Sequence, residues 1–156
     1  MSYVFDTNAL SQLFHSYYPR RFPTLWENFD ALVQGGRITS TREVRREIED
    51  DRVADLRNWA ATHPELFPAP SADEARFIVE IFSVAHFQQV IEQKKLLKGG
   101  KNADPFIISR ARLIDGVVVT MEGKPLNGAK IPNICEHFGI TCFSLEDFME
   151  AEGWVF

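Results

Sequence analysis

Tyr3-Val4-Phe5 is an apolar run of β-forming residues with no polar interruption, and it ends in a carboxylate, Asp6. A strand with one wet face alternates apolar and polar residues. An uninterrupted one is buried on both faces, as in a parallel sheet covered by helices. Asp6 then sits at the carboxyl end of such a strand, the edge where open α/β sheets bind their ligands. The competing reading of Asp6 is a turn or helix cap, since Asp is common in both roles. Thr7 and Asn8 are candidate caps for a helix carrying Ala9, Leu10, Leu13 and Phe14.

A sheet of this kind needs a large core, and the chain can supply one. Its 156 residues are 45% hydrophobic and include 13 Phe, enough to predict one compact domain over residues 1–156. No apolar run approaches the roughly 20 residues that span a bilayer, and no basic start leads into an apolar stretch. A protein of the cytoplasm, without membrane association, is therefore expected. The two cysteines, Cys135 and Cys142, give no disulfide framework. With His137 they offer three metal-ligand types, but a fourth is missing nearby, which argues against structural zinc. The formal charge of −5 argues against a protein that coats nucleic acid through a basic surface, while leaving room for local basic patches.

Further along, short apolar runs alternate with helical patterns, and no internal repeat interrupts them; this is the α/β signature. Pro19 to Pro23 breaks the first helix, and Thr24 with Glu27 reads as a capping box for a helix carrying Leu25, Phe29, Leu32 and Val33, stopped by Gly35-Gly36. Arg37-Ile38-Thr39 is a short second strand. Ser40 with Glu43 reads as a second capping box, opening a helix from Thr41 to about Asp50 on which Val44 and Ile48 face inward and Glu43 and Glu47 share a face. The middle is helical, with a connector at Pro64 to Pro70 and a strong helix opened by Ser71 and Glu74. Its stripe loses phase near His86, which suggests a second helix beyond. Lys94, Lys95, Lys98 and Lys101 form the one concentrated basic run, ordinarily a solvated face.

That run leads directly into Asn102-Ala103-Asp104-Pro105. Pro105 marks the first turn of a helix, where a missing amide hydrogen costs nothing, so Asp104 lies at a helix amino end. Ala103, Ile107, Ala111 and Ile114 are expected to face the core. Val117 to Thr120 is the clearest strand of the chain, and Glu122 follows it as Asp6 follows the first. A short helix ended by Gly139, a last strand over Ile140 to Phe143 and a helix opened by Ser144 and Asp147 complete the pattern.

The ordered set Val4-Phe5-Asp6-Thr7-Asn8, then Val44-x-x-Glu47-Ile48, then Ala103 to Ala111, then Val117 to Gly123, resembles the PIN-domain ribonucleases, the family that includes VapC-type toxins of toxin–antitoxin pairs. The resemblance spans Tyr3 to about Phe143. It implies a three-layer α/β/α PIN-like fold around a mainly parallel sheet of four to five strands. It also implies a metal-dependent ribonuclease using Mg²⁺ or Mn²⁺, a cognate antitoxin as partner, and RNA as substrate; a homodimer is left open. Carried over by position, the metal-binding and catalytic acids are Asp6, Glu47, Asp104 and Glu122. Glu122 stands where many members have aspartate. Asn8 and Thr120 match supporting polar positions. Glu43 competes with Glu47 for the second acid, but the expected capping role accounts for it.

The chemistry agrees with that set. Phosphodiester hydrolysis needs an activated water and neutralised phosphate oxygens, which hard dications supply when held by carboxylate oxygens. Gathered acids would otherwise repel one another. Lys98 and Lys101, beside Asp104, are candidates to hold flanking RNA phosphates. Two rivals stand beside the nuclease. A phosphoaspartyl phosphatase would need a second aspartate where Asn8 stands. A non-catalytic RNA- or protein-interaction module on the same fold needs no intact acid set.

Overall fold

The computed structural model describes residues 1–97 and 102–156. Four strands, β1 (Tyr3–Phe5), β2 (Ile38–Thr39), β3 (Val117–Val119) and β4 (Cys142–Phe143), form one sheet in the order β2-β1-β3-β4. Every pairing is parallel, with Tyr3 opposite Ile38 on one side and Val117 on the other. Consecutive side chains of a strand point to opposite faces, and Tyr3, Val4 and Phe5 are all 0% exposed. Both faces of β1 are therefore covered, as its uninterrupted apolar run predicts.

Helices provide the cover: α1 (Thr7–Ser16), α2 (Pro23–Gln34), α3 (Arg42–Ile48), α4 (Ala54–Thr62), α5 (Ala72–Phe82), α6 (Ala85–Leu97), α7 (Asp104–Ile114), α8 (Ile131–Phe138) and α9 (Leu145–Ala151). On one face the rings of Tyr3 and Phe5 meet Phe148 of α9 edge-on, at centroid distances of 4.7 and 5.1 Å, and Phe5 also meets Phe29 of α2. Such pairs stabilise beyond their buried area by about 0.5–1.5 kcal/mol each. The Tyr3 hydroxyl, at the end of this aromatic stack, donates to Glu152, and Arg37 holds the same carboxylate through two nitrogens. Burial, then the Glu152 carboxylate, pushes the Tyr3 phenol up to about 12.

Several local expectations are corrected. Asp6, not Thr7 or Asn8, caps α1, accepting from the Thr7 amide. No side chain caps α2: Phe22 precedes Pro23 at the first helical position, so the Thr24–Glu27 box is not formed. The cap of α3 is Thr41, whose hydroxyl accepts from the Val44 amide. Ser40, at the end of β2, instead donates across the sheet to the Phe5 carbonyl. Ile114, in the last turn of α7, is 37% exposed rather than buried; Ile108 fills the core with Ile107 and Ala111. The box at Ser144 is as the sequence predicts, whereas at Ser71 only half of one forms, the hydroxyl accepting from the Glu74 amide while the Glu74 carboxylate accepts from Arg110; the lost phase near His86 is a break between α5 and α6. Gly139 ends α8 with φ of +69°, a left-handed conformation suited to glycine. Among the described residues no helix is long and apolar enough to cross a membrane.

Candidate functional site

The strand order places β1 between β2 and β3. The chain leaves β1 toward one neighbour and later returns to the other side, so the carboxyl ends of β1 and β3 flank a switch point in the topology, where a crevice forms. Asp6 follows β1 there, and Thr120 and Glu122 follow β3. The Asp6 amide extends the ladder by one bond, donating to the Val119 carbonyl at 2.9 Å. This fixes its backbone, while the side chain is fixed separately.

Asp6 is 4% exposed. Its Oδ1 accepts from the Thr7 amide at 2.8 Å and its Oδ2 from the Thr120 hydroxyl at 2.8 Å. The cap and the buried acid are thus one residue doing both jobs. Asn8, half a turn on, accepts from the Met121 amide at 3.0 Å and lies 3.3 Å from the Thr120 hydroxyl. It holds the segment after β3 against the start of α1. Thr7 reaches the other way, its hydroxyl donating to Glu47 Oε1 at 2.6 Å. Three consecutive residues therefore position, in turn, the central acid, the α3 acid and the β3 loop.

Asp104 is the first residue of α7 and 2% exposed. Its amide donates to Asn102 Oδ1 at 3.2 Å. Glu122 is anchored by both oxygens: Oε2 accepts from the Ile131 amide at the start of α8, and Oε1 from the Lys94 ammonium, each at 2.9 Å. Lys94, in the last turn of α6, also pairs closely with Asp104 Oδ2. Burial would lower the lysine, but Asp104 and Glu122 outweigh it and hold the ammonium above its ordinary value.

These placements leave an electrostatic deficit at Asp6. Burial, then the Asp104 charge, pushes its carboxyl up to about 7 from 3.8; the Thr120 hydrogen bond lowers it, and Glu122 and Glu47 raise it further. A cleft of about 420 Å³ opens beside it, lined by Asp6, Thr7, Asn8, Glu47, Asp50 and Glu122 among others. Asp104, 2% exposed, is not part of this lining.

Glu43 and Glu47 part company in three dimensions. Glu47 lines the Asp6 cleft, whereas Glu43 opens on a separate cavity with Arg42, Arg46 and Lys95. Glu43 is not part of a capping box; its Oε1 accepts from Arg42 at 3.1 Å. Lys98 and Lys101 lie outside the described residues. Sequence reasoning missed Lys94 as a site residue and Asp50 as a rim acid. Asp50 follows Glu47 by three residues, a spacing that shares a helix face; Lys94 is marked in the sequence only as one member of the basic run. Among the described residues no three His, Cys, Asp or Glu side chains form a ready-made metal cage; the Lys94 ammonium stands between two of the acids.

A family model described as "Domain of unknown function (DUF4411)" matches residues 3–156. No match is found among curated proteins. Of solved structures, a chain from "Crystal structure of VapBC2 from Rickettsia felis bound to a DNA fragment from their promoter" is 15% identical with a TM-score of 0.49, covering 92% of this chain and 98% of its own. A chain from "Crystal Structure of FitAcB from Neisseria gonorrhoeae" is 16% identical with a TM-score of 0.49 and the same coverage.

Proposed function

For a chain that belongs to the DUF4411 family and sets Asp6, Glu47, Asp104 and Glu122 around one end of its sheet, we propose a metal-dependent ribonuclease, the toxin of a toxin–antitoxin pair. The observation that carries this reading is Asp6 itself. A carboxyl held by two donors would ordinarily ionise easily, yet burial first, and then the charges of Asp104, Glu122 and Glu47, push it to about 7. Such a cluster is short of positive charge.

The donors fit Mg²⁺ or Mn²⁺, since all are carboxylate oxygens and the cleft leaves room for waters. Asp6 and Glu47 would hold the ion, with Asp104 and Glu122 completing the acidic wall. When bound, it supplies charge neutralisation at the scissile phosphate and a more acidic water. The protein's own part is positional. Thr7 keeps Glu47 turned toward Asp6, Thr120 fixes the second Asp6 oxygen, and Asn8 holds the β3 loop so that Glu122 stays in line with Ile131. The cleft is open, which suits an unpaired or looped RNA strand. Lys98 and Lys101 are proposed to hold flanking phosphates, and the toxin role supplies an antitoxin partner.

One observation favours a second reading, a non-catalytic RNA- or protein-binding module: Lys94 stands between Asp104 and Glu122. Incubating the purified protein with labelled RNA in Mn²⁺ and in EDTA separates the two. Cleavage abolished by EDTA supports the nuclease, and intact RNA in Mn²⁺ with binding retained supports the module.

A further inference from the structure

We propose that Lys94 is a built-in second cation of this site, its ammonium held by Asp104 and Glu122 in place of a second divalent ion, so that the chain takes one ion and meets the RNA phosphate with the lysine. The inference rests on the metal-dependent reading above.

Lys94 is not a loose surface lysine. Its side chain is 20% exposed, while its partners Asp104 and Glu122 are 3% and 14% exposed. Helix α6 is seated by Phe87 and Ile91, at 6% and 3% exposure. Asn102 then ties that helix to α7: its amide nitrogen donates to the Ile91 carbonyl at 3.4 Å, and its oxygen accepts from the Asp104 amide at 3.2 Å. The backbone that carries the ammonium is therefore set against the backbone that carries its first carboxylate.

Glu122 has no oxygen to spare for a second ion. Oε2 serves the Ile131 amide and Oε1 serves Lys94. Two-ion phosphodiesterases place their cations about 3.5–4 Å apart, bridged by shared acids, and a second dication at Asp104 and Glu122 would have to expel the ammonium. Asp6 and Glu47 are held differently, by the Thr7 amide, the Thr120 hydroxyl and the Thr7 hydroxyl. Lys94 is thus held by Asp104 and Glu122, while Asp6 and Glu47 line the open cleft with Glu122 beside them. An ammonium has three donors; the carboxylates take two, and the third is available to a phosphate oxygen.

The test counts ions. Mn²⁺ is titrated into the purified full chain by calorimetry, with free Mn²⁺ followed by electron paramagnetic resonance. One Mn²⁺ per chain is expected for wild type, two for Lys94→Met, which keeps the length and removes the charge, and one again for Lys94→Arg. A melt in EDTA checks each variant's fold, and Lys94→Gln replaces the Met variant if that one does not melt cooperatively. Two ions in wild type, or one in the neutral variant, overturns the proposal, including the case in which the neutral variant merely binds its one ion more tightly. A second measurement follows RNA binding against log salt: the neutral variant's slope should fall by about 0.7, one single-strand phosphate contact. An unchanged slope removes the phosphate contact from the proposal and overturns that half of it. Wild type that cleaves RNA but binds two ions sinks only the lysine; wild type that neither binds Mn²⁺ nor cleaves RNA sinks the nuclease reading as well.

Discussion

Replacing Asp6 with Asn removes one charge from the crowded end of the sheet and almost nothing else. Asn is as good a helix cap as Asp, so its oxygen can keep the Thr7 amide while its nitrogen turns to the Thr120 hydroxyl. In the unfolded chain Asp6 ionises near 3.8, and in the fold near 7. Between those values the folded state binds more protons than the unfolded one, so stability falls as pH rises through the window. Below pH 4 the penalty is absent, and above pH 7 it is complete. A shift of about three units corresponds to about 4 kcal/mol, a ceiling because neighbouring acids relax once one is neutral. At about 2–4 °C per kcal/mol for a chain of this size, Asp6→Asn should melt up to about 8–16 °C above wild type at pH 8 in EDTA. The advantage should shrink toward zero at pH 4.5. Saturating Mn²⁺ acts in the opposite sense, raising wild type by about 2.7 kcal/mol at 100 times its dissociation constant and the variant by far less. Scanning calorimetry over pH 4.5–8 in EDTA and in Mn²⁺ measures all of this. A variant that melts below wild type by the same margin at every pH, with an intact Mn²⁺ shift, would refute the reasoning and leave Asp6 a cap alone.

Glu47→Gln should abolish RNA cleavage with a melting temperature in EDTA within a few degrees of wild type, while Glu43→Gln stays active; equal loss in both variants would reverse the assignment made from the two cavities. Asn8→Ala strips the exposed Met121 amide of its protein acceptor and should cost about 0.5–1.5 kcal/mol by urea denaturation, lowering cleavage through a displaced Glu122; an unchanged midpoint would show that the β3 loop needs no clamp. Changing Lys98 and Lys101 together to Ala should flatten the salt dependence of RNA binding by up to about two phosphate contacts, and a wild-type slope would return both lysines to a solvated face.

The parts legible in the sequence are those with short-range causes. Unbroken apolar runs announce β1 and β3 because burial on both faces forbids alternation, and the acids after them follow from strand direction. Capping was harder, because Ser40 and Thr41 are both competent caps and only the position of β2 decides between them: the strand ends at Thr39, leaving the Ser40 hydroxyl beside the Phe5 carbonyl. Asp6 looked like a choice between cap and acid, and the geometry joins the two. Lys94 was legible only as one member of a charge run. Its partners lie 10 and 28 residues away, on α7 and beyond β3, and no local pattern records the angle at which α6 meets them.

The contacts that complete the Asp6 cleft run from Thr120 to Asp6 and from Met121 to Asn8, spanning 114 and 113 residues of sequence. On the ribosome Asp6, Thr7 and Asn8 emerge well before β3, and the 114 residues that separate Asp6 from Thr120 must be made before β3 can pair with β1 and bring Thr120 into reach. Long-range parallel pairing is also the slow part of folding. The cleft is therefore assembled only after β3 has been made, and truncated products that stop before Thr120 carry its first three residues without a working site. For a protein proposed to cut RNA, this topology would act as a safeguard during translation, keeping the nascent chain beside the messenger and transfer RNAs harmless until β3 is made.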